Sequence, residues 1–251
     1  AFGDLPDLEA ALSVPSAELL YVMKSMESEG RTYSPQALYL RYRRILVDWM
    51  CEVGEHFQLA VSTSHVAAGY LDRLLPTINV AKDRLQLVAM SCVLIAAKYE
   101  EREDRVPLIA DLNAYAHNPY QTSLIMQTEL LVLNMLDWKL TVLTPLHFLG
   151  FYLRKGIVFV TDTVAGQALV PRVLRCIKKY VEFFSDLCLQ DYSFQQYPAS
   201  LLAAGVVLAA RRAVRIQPHW CHALELLLGY SEPETRPVME HVWRLYAATF
   251  P

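Results

Sequence analysis

Residues able to carry covalent or metal chemistry are thinly and irregularly spread along this chain. The tightest His/Cys grouping is His219, Cys221 and His222. A structural zinc ion takes four ligands at defined spacings; no fourth candidate stands nearby, so no metal site is expected. The five cysteines, Cys51, Cys92, Cys176, Cys188 and Cys221, are scattered, odd in number and form no CxxC. Four of them lie in apolar, helix-like contexts, which predicts buried reduced thiols and a nuclear or cytoplasmic setting. The chain has no Gly-rich phosphate loop, no HRD or DFG, no GxSxG and no HExxH. The groups that phosphoryl transfer, acyl transfer and metal-assisted hydrolysis require are therefore missing. The chain is expected to be no enzyme and to need no cofactor, so its chemistry is recognition.

One stretch is organised for recognition: RRILVDWMCEV, Arg43–Val53. At ~100° per residue, Tyr42, Ile45, Leu46 and Trp49 form one stripe, and Arg43, Val47, Met50 and Gly54 a second, roughly 120° away. One stripe is enough to anchor a helix to a core. The other must meet a second element or remain an exposed apolar patch, and such patches mark binding sites.

The elements that position these stripes are helical. Apolar residues make up 54% of the 251 positions, enough to bury a sizeable core. No stretch shows sustained period-two alternation. The pattern predicts helices over 16–28, 35–56, 63–75, 80–99, 107–116, 122–136, 145–154, 164–188, 197–214, 218–228 and 232–247. Ser34-Pro35 and Thr144-Pro145 read as an N-cap followed by proline at the first helical position, and Asn79, Thr122 and Ser231 as further caps. LQLVAMSCVLIAA (Leu85–Ala97) and ASLLAAGVVLAA (Ala199–Ala210) are apolar nearly all round, so each must be surrounded by other helices. Ala89, Ala96, Ala204 and Gly205 would let those neighbours approach closely. Each run follows two longer amphipathic helices and precedes two shorter ones, which makes a structural repeat of about five helices offset by about 112 residues. The expected division is an N-terminal segment with its own helix (1–34), a first repeat (35–141) and a second (142–251), joined rigidly by a short linker near Thr141–Leu143. Leu85–Ala97 is too short and too interrupted to span a bilayer, and no signal-peptide pattern opens the chain, so no membrane partner is expected. A net charge of −3 opposes nucleic acid as a partner.

The residues around the first stripe resemble the cyclin box. The family pattern Met-Arg-Ala-Ile-Leu-Val-Asp-Trp stands here as Tyr42-Arg43-Arg44-Ile45-Leu46-Val47-Asp48-Trp49, followed by YLDRLL (Tyr70–Leu75), RLQLVAMSCVLIAAKYEE (Arg84–Glu101) and TELLVLNMLDW (Thr128–Trp138). The five positions that define the box are present as Arg43, Asp72, Leu87, Lys98 and Glu129. LTPLHFLGFYL (Leu143–Leu153) and SDLCLQDYSFQQYPASLLAAGVVLAA (Ser185–Ala210) are similar to the second half of the same family, so the resemblance covers nearly the whole chain. Within the family, YEEREDRVP and LQDYSFQQYPASLLAA look most like the J-type branch.

This resemblance implies an all-α fold: tandem five-helix repeats, each around a central buried helix, with an extra N-terminal helix. It implies a regulatory subunit that binds and activates a cyclin-dependent Ser/Thr protein kinase in cell-cycle control. Lys98 and Glu129 would face the kinase, hydrogen-bonding near its αC helix, and Tyr99, where the family carries Phe, would fill a pocket beside it. Arg43 and Asp72 would form an internal salt bridge. Tyr42, Ile45, Leu46, Trp49, Leu85 and Gln86 match the patch that captures Arg-x-Leu motifs of substrates or inhibitors, with Glu52 set to pair with the arginine. Tyr42 for Met and Arg44 for Ala depart from the pattern and bear on whether that groove is open. Leu19, Leu20, Met23 and Met26 would place the N-terminal helix against the kinase or simply against the chain itself. Two further classes share the fold: a TFIIB-like factor binding DNA and TBP, which needs basic helices, and a scaffold without kinase activation, which needs none of the polar anchors.

Overall fold

The computed structural model describes residues 16–27 and 33–250; of the expected N-terminal segment, 1–15 and 28–32 lie outside the described residues, as does Pro251. Eleven α-helices dominate the described residues: α1 (Ser16–Met26), α2 (Leu40–His56), α3 (Val61–Leu74), α4 (Leu85–Glu100), α5 (Ile109–Tyr115), α6 (Thr122–Met135), α7 (Pro145–Lys155), α8 (Pro171–Gln190), α9 (Ala199–Ala213), α10 (His222–Leu228) and α11 (Glu232–Thr249). The fold is all-α, built as two five-helix units.

Each unit forms around the helix that is apolar on every side. In α4, Leu85 and every residue from Leu87 to Ala97 are buried, and α3, α6 and α2 pack around them. In α9, Leu202 to Arg211 are buried among α11, α8 and α7. The small residues act as the pattern requires: Ala89, Ala96 and Ala204 are fully enclosed. A Cβ on Gly205 would lie 2.5 Å from the Val238 Cγ1 of α11, so that crossing has room only for glycine.

Local signals set several helix ends. Thr144 and Ser231 both start capping boxes, with His147 and Glu234 returning bonds to the cap backbone at 3.0 and 2.8 Å. Other expected starts are displaced. Residues 35–39 form turns instead of helix, and α2 begins at Leu40. The cause is tertiary: Ser34 N donates to the Tyr192 hydroxyl (2.9 Å), Tyr33 stacks on the same ring, and the Tyr39 hydroxyl donates to Asp72 (2.9 Å). Three fixed partners override the local helix signal of Ser34-Pro35. Asn79 caps nothing; a short 3₁₀ turn, Lys82–Arg84, leads into α4. Thr122 is the first residue of α6, and its cap position is Gln121.

The region 164–170, expected to open a helix, is a hairpin. Strand β1 (Thr163–Val164) pairs antiparallel with β2 (Gln167–Ala168), and β3 (Ile216–Gln217) joins β1 on its other side. Both turn residues, Ala165 (φ 52°) and Gly166 (φ 75°), take the left-handed conformation that a two-residue hairpin needs.

The two units are fastened together. Val47, Ala68 and Leu189 form a small apolar cluster, α2 packs on α8, α3 on α7, and Tyr192 enters the first core. Helix α1 docks on the second unit: Leu20 joins its core, with Leu19 and Met23 packed alongside. The Lys24 ammonium donates to the carbonyls of Leu228 (3.2 Å) and Gly229 (3.0 Å) and lies 3.6 Å from the Tyr230 ring centroid. No helix of the described residues is long and apolar enough to cross a membrane.

Candidate functional site

Helix α4 changes character at Ala97. Up to that residue it is enclosed; Lys98, Tyr99 and Glu100 then emerge at the surface. A lysine in the last turn also suits the negative end of the helix dipole. From the adjacent α6, Glu129 meets Lys98, with Nζ and Oε1 2.5 Å apart. The lysine side chain is 49% exposed and the carboxylate only 12%, so Glu129 is a fixed acceptor and Lys98 the accessible partner. An exposed pair of this kind adds only about 0–1 kcal/mol to stability.

Exposed apolar side chains stand close to the pair in sequence. The Tyr99 ring is 48% exposed, and its hydroxyl meets the Thr141 hydroxyl at 2.9 Å, which satisfies the polar end without covering the ring. On α6, Met126 stands one turn before Glu129 and Leu130 directly after it, both more than half exposed, and Trp138 is 60% exposed just beyond the helix. These three apolar residues were not singled out from the sequence. The i, i+3 spacing of Met126 and Glu129 was the available signal.

Arg43 and Asp72 do meet, deep in the molecule: Nε–Oδ1 is 2.7 Å and Nη2–Oδ2 2.8 Å. The Arg43 Nη1 also donates to the Leu189 carbonyl at 2.9 Å, so one guanidinium ties α2, α3 and the end of α8. A second fork of this type was not foreseen. Arg211 at the end of α9 pairs with Asp162 through 2.7 and 2.8 Å bonds, both side chains fully buried, and its remaining donors reach the carbonyls of Ile157 and Pro218. Asp162 lies 49 residues from Arg211, beyond any local pattern. Glu101 was also missed as a cap: its carboxylate accepts from Ala60 N (2.5 Å) and the Thr63 hydroxyl (2.7 Å) at the start of α3.

The α2 stripes divide as helix geometry requires. Arg43, Val47, Met50 and Gly54 are all buried toward α3 and α8. In the other stripe Leu46 is buried, Tyr42 and Trp49 are partly covered against the first core, and Ile45 is 68% exposed. Leu85 lies buried next to partly exposed Gln86, and Glu52 is exposed at the far end of α2. The Tyr42 ring has the Arg41 guanidinium 5.3 Å and the Lys82 ammonium 5.4 Å from its centroid, within cation–π range. Beside it, a groove of about 430 Å³ runs between residues 36–42 and the segment 75–85.

At the other end of the chain, His219 meets Gln217 at 2.8 Å. No group of three or more His, Cys, Asp or Glu side chains among the described residues is placed to hold a metal ion.

Comparison with known proteins adds two family matches in tandem. Residues 18–141 match the model "Cyclin, N-terminal domain", and residues 143–250 match "Cyclin, C-terminal domain". Cyclin-J of Xenopus laevis is 31% identical over 234 residues, covering 90% of this chain and 61% of that protein. The G2/mitotic-specific cyclin S13-7 of Glycine max is 32% identical, over 85% of this chain and 77% of its own length. A solved viral cyclin from herpesvirus saimiri superposes with a TM-score of 0.69 at 18% identity, over 92% of this chain and 98% of that one. The chain spans about 60% of the length of the J-type relative, 61%.

Proposed function

This chain belongs to the cyclin family, and from that premise we propose that it is the regulatory subunit of a cyclin-dependent Ser/Thr protein kinase, acting in cell-cycle control in the nucleus or cytoplasm. The observation that carries the reading is the Lys98–Glu129 pair. It stands at the surface, held by two packed helices that also carry the exposed apolar side chains of Tyr99, Met126 and Leu130. A polar anchor fixed within an apolar patch supplies register and desolvated contact area together.

The chain itself carries no catalysis in this proposal; the division at 141/142 separates a kinase-facing first box from a supporting second box. An active kinase needs its αC glutamate paired with the β3 lysine and its activation loop ordered. A rigid surface that binds only that arrangement shifts the equilibrium by its differential affinity for the two states. The buried Arg43 fork holds together α2 and α3, against which the presenting helix α4 packs. The exposed part of the α2 stripe, around Ile45 and Trp49 with Glu52 at its end, serves as the docking surface for Arg-x-Leu segments of substrates or inhibitors.

The test is to purify the chain from its own cells, identify the associated kinase, and repeat with Lys98→Ala/Glu129→Ala. Association should be abolished with helicity unchanged. Unaltered kinase binding would overturn the proposed interface, and absence of any kinase from the wild-type preparation would leave a cyclin-fold scaffold.

A further inference from the structure

Given a docking surface for Arg-x-Leu segments on α2, as proposed above, we infer that this surface has a second, cationic subsite at its Tyr42 end that selects an acidic residue downstream of the leucine.

Charge is segregated along the exposed side of α2. At the Glu52 end stand Asp48, Glu52 and Glu55, all exposed. The nearby Cys51 thiol is pushed up to about 12, by burial first and then by the negative charge of Asp186, Asp48, Glu55 and Glu52. At the Tyr42 end stand Arg41, Arg44 and Lys82, also exposed. None of these three has a carboxylate within salt-bridge distance among the described residues, whereas nearby Arg84 has Asp83 at 3.7 Å. Two of the cations stand within cation–π range of the one Tyr42 ring, and Arg41 is further fixed by donating from Nε to the Leu38 carbonyl at 3.2 Å. The methionine of the family pattern has no π-face for such cations. Tyr42 therefore converts one end of an apolar patch into a positioned positive site.

The spacing specifies the ligand. At ~1.5 Å per helical residue, Arg41 and Tyr42 lie ~15–16 Å along α2 from Glu52. An extended segment advances ~3.3 Å per residue. With its arginine at Glu52, the leucine two positions on falls between Trp49 and Leu46, and the fourth or fifth residue after the arginine reaches Arg41 and Lys82. The groove there is walled by Ala37, Leu38, Ile78, Val80 and Leu85, so the stem of that residue meets apolar surface while its carboxylate meets the cations. The occupant is thus a partner segment of the form Arg-x-Leu followed, two or three positions after the leucine, by Asp or Glu.

Peptides with one Arg-x-Leu core and Asp, Ala or Lys at the fourth and fifth positions after the arginine, titrated against the full chain by fluorescence anisotropy, test this. The Asp peptide should bind about three- to tenfold tighter than the Lys peptide, as expected for one or two exposed charge pairs. The difference should shrink as salt rises. Arg41→Ala/Lys82→Ala should remove the discrimination and leave the Ala peptide's affinity unchanged. Equal binding of all three peptides to the wild-type chain overturns the cationic subsite while the docking surface stands. Failure of the Ala peptide to bind at all overturns both.

Discussion

Arg43 and Asp72 form a two-pronged salt bridge across α2 and α3, at 2.7 and 2.8 Å, with side chains only 2% and 7% exposed. The Tyr39 hydroxyl also donates to the carboxylate, and the third nitrogen of the guanidinium leaves the first repeat to reach the Leu189 carbonyl. The pair is therefore a joint between repeats as well as a brace within one. Arg43→Ala strands a buried carboxylate and frees that carbonyl, and should cost about 3–5 kcal/mol. Arg43→Lys keeps the charge but not the planar fork, and should fall between the two. Urea unfolding followed by circular dichroism reads both; a loss under 1 kcal/mol for the alanine variant would refute this account.

The same logic applies where α1 meets the second repeat. The buried Glu27 carboxylate accepts from Ser200 N (2.7 Å) and the Ser200 hydroxyl (2.6 Å), at the first turn of α9. It therefore caps a distant helix, through a residue 173 positions later in the chain. Glu27→Ala leaves a buried N–H unsatisfied, at about 1–3 kcal/mol. It should also loosen α1, seen as faster amide exchange over 16–27; Glu27→Gln, which keeps one acceptor, should lie between. Unchanged exchange in the alanine variant would mean that Leu20 and Lys24 hold α1 without it.

These joints mark how far the sequence could be read. The helices and the two enclosed central ones were legible because amphipathic period and all-round apolarity are local properties. Lys98 and Glu129 were legible only through resemblance, since nothing local brings residues 31 apart together. The Glu27 cap and the Arg211–Asp162 fork were illegible because tertiary packing alone makes them neighbours. The start of α2 was misplaced for the opposite reason: Ser34-Pro35 is a sound local signal, overruled by Tyr33, Tyr39 and Tyr192. The hairpin at 163–168 hid because its strands are two residues long, too short for alternation to register.

Two helical glycines should respond to alanine with opposite signs. At Gly205 the added methyl meets Val238 Cγ1 at 2.5 Å and Cβ at 2.9 Å, a β-branched side chain with little freedom to yield. Overpacking of this kind costs about 1–3 kcal/mol. At Gly150, inside α7, the methyl meets nothing within 4 Å. Alanine there removes unfolded-state freedom and should stabilise by about 0.4–1 kcal/mol. Thermal melts of the two variants should move in opposite directions, and a shared direction would contradict the packing described for α9 and α11.

The α7 cap makes stability depend on pH. His147 Nδ1 accepts from Thr144 N at 3.0 Å, which requires that nitrogen to be unprotonated. Burial, then the positive charge available to His65 on α3, holds the His147 pKa below its ordinary 6.5. The unfolded chain therefore binds more protons than the folded one just below pH 6.5, so stability is intact above that value and falls as pH drops through it. His241 adds to the same trend, its pKa lowered by burial and then by Arg244. His147→Gln keeps an acceptor at the third position of the capping box and does not titrate. Urea midpoints measured from pH 7.5 to 5 should fall less steeply in that variant, with His241 supplying the remaining slope. Identical slopes in the two proteins would remove His147 from the account.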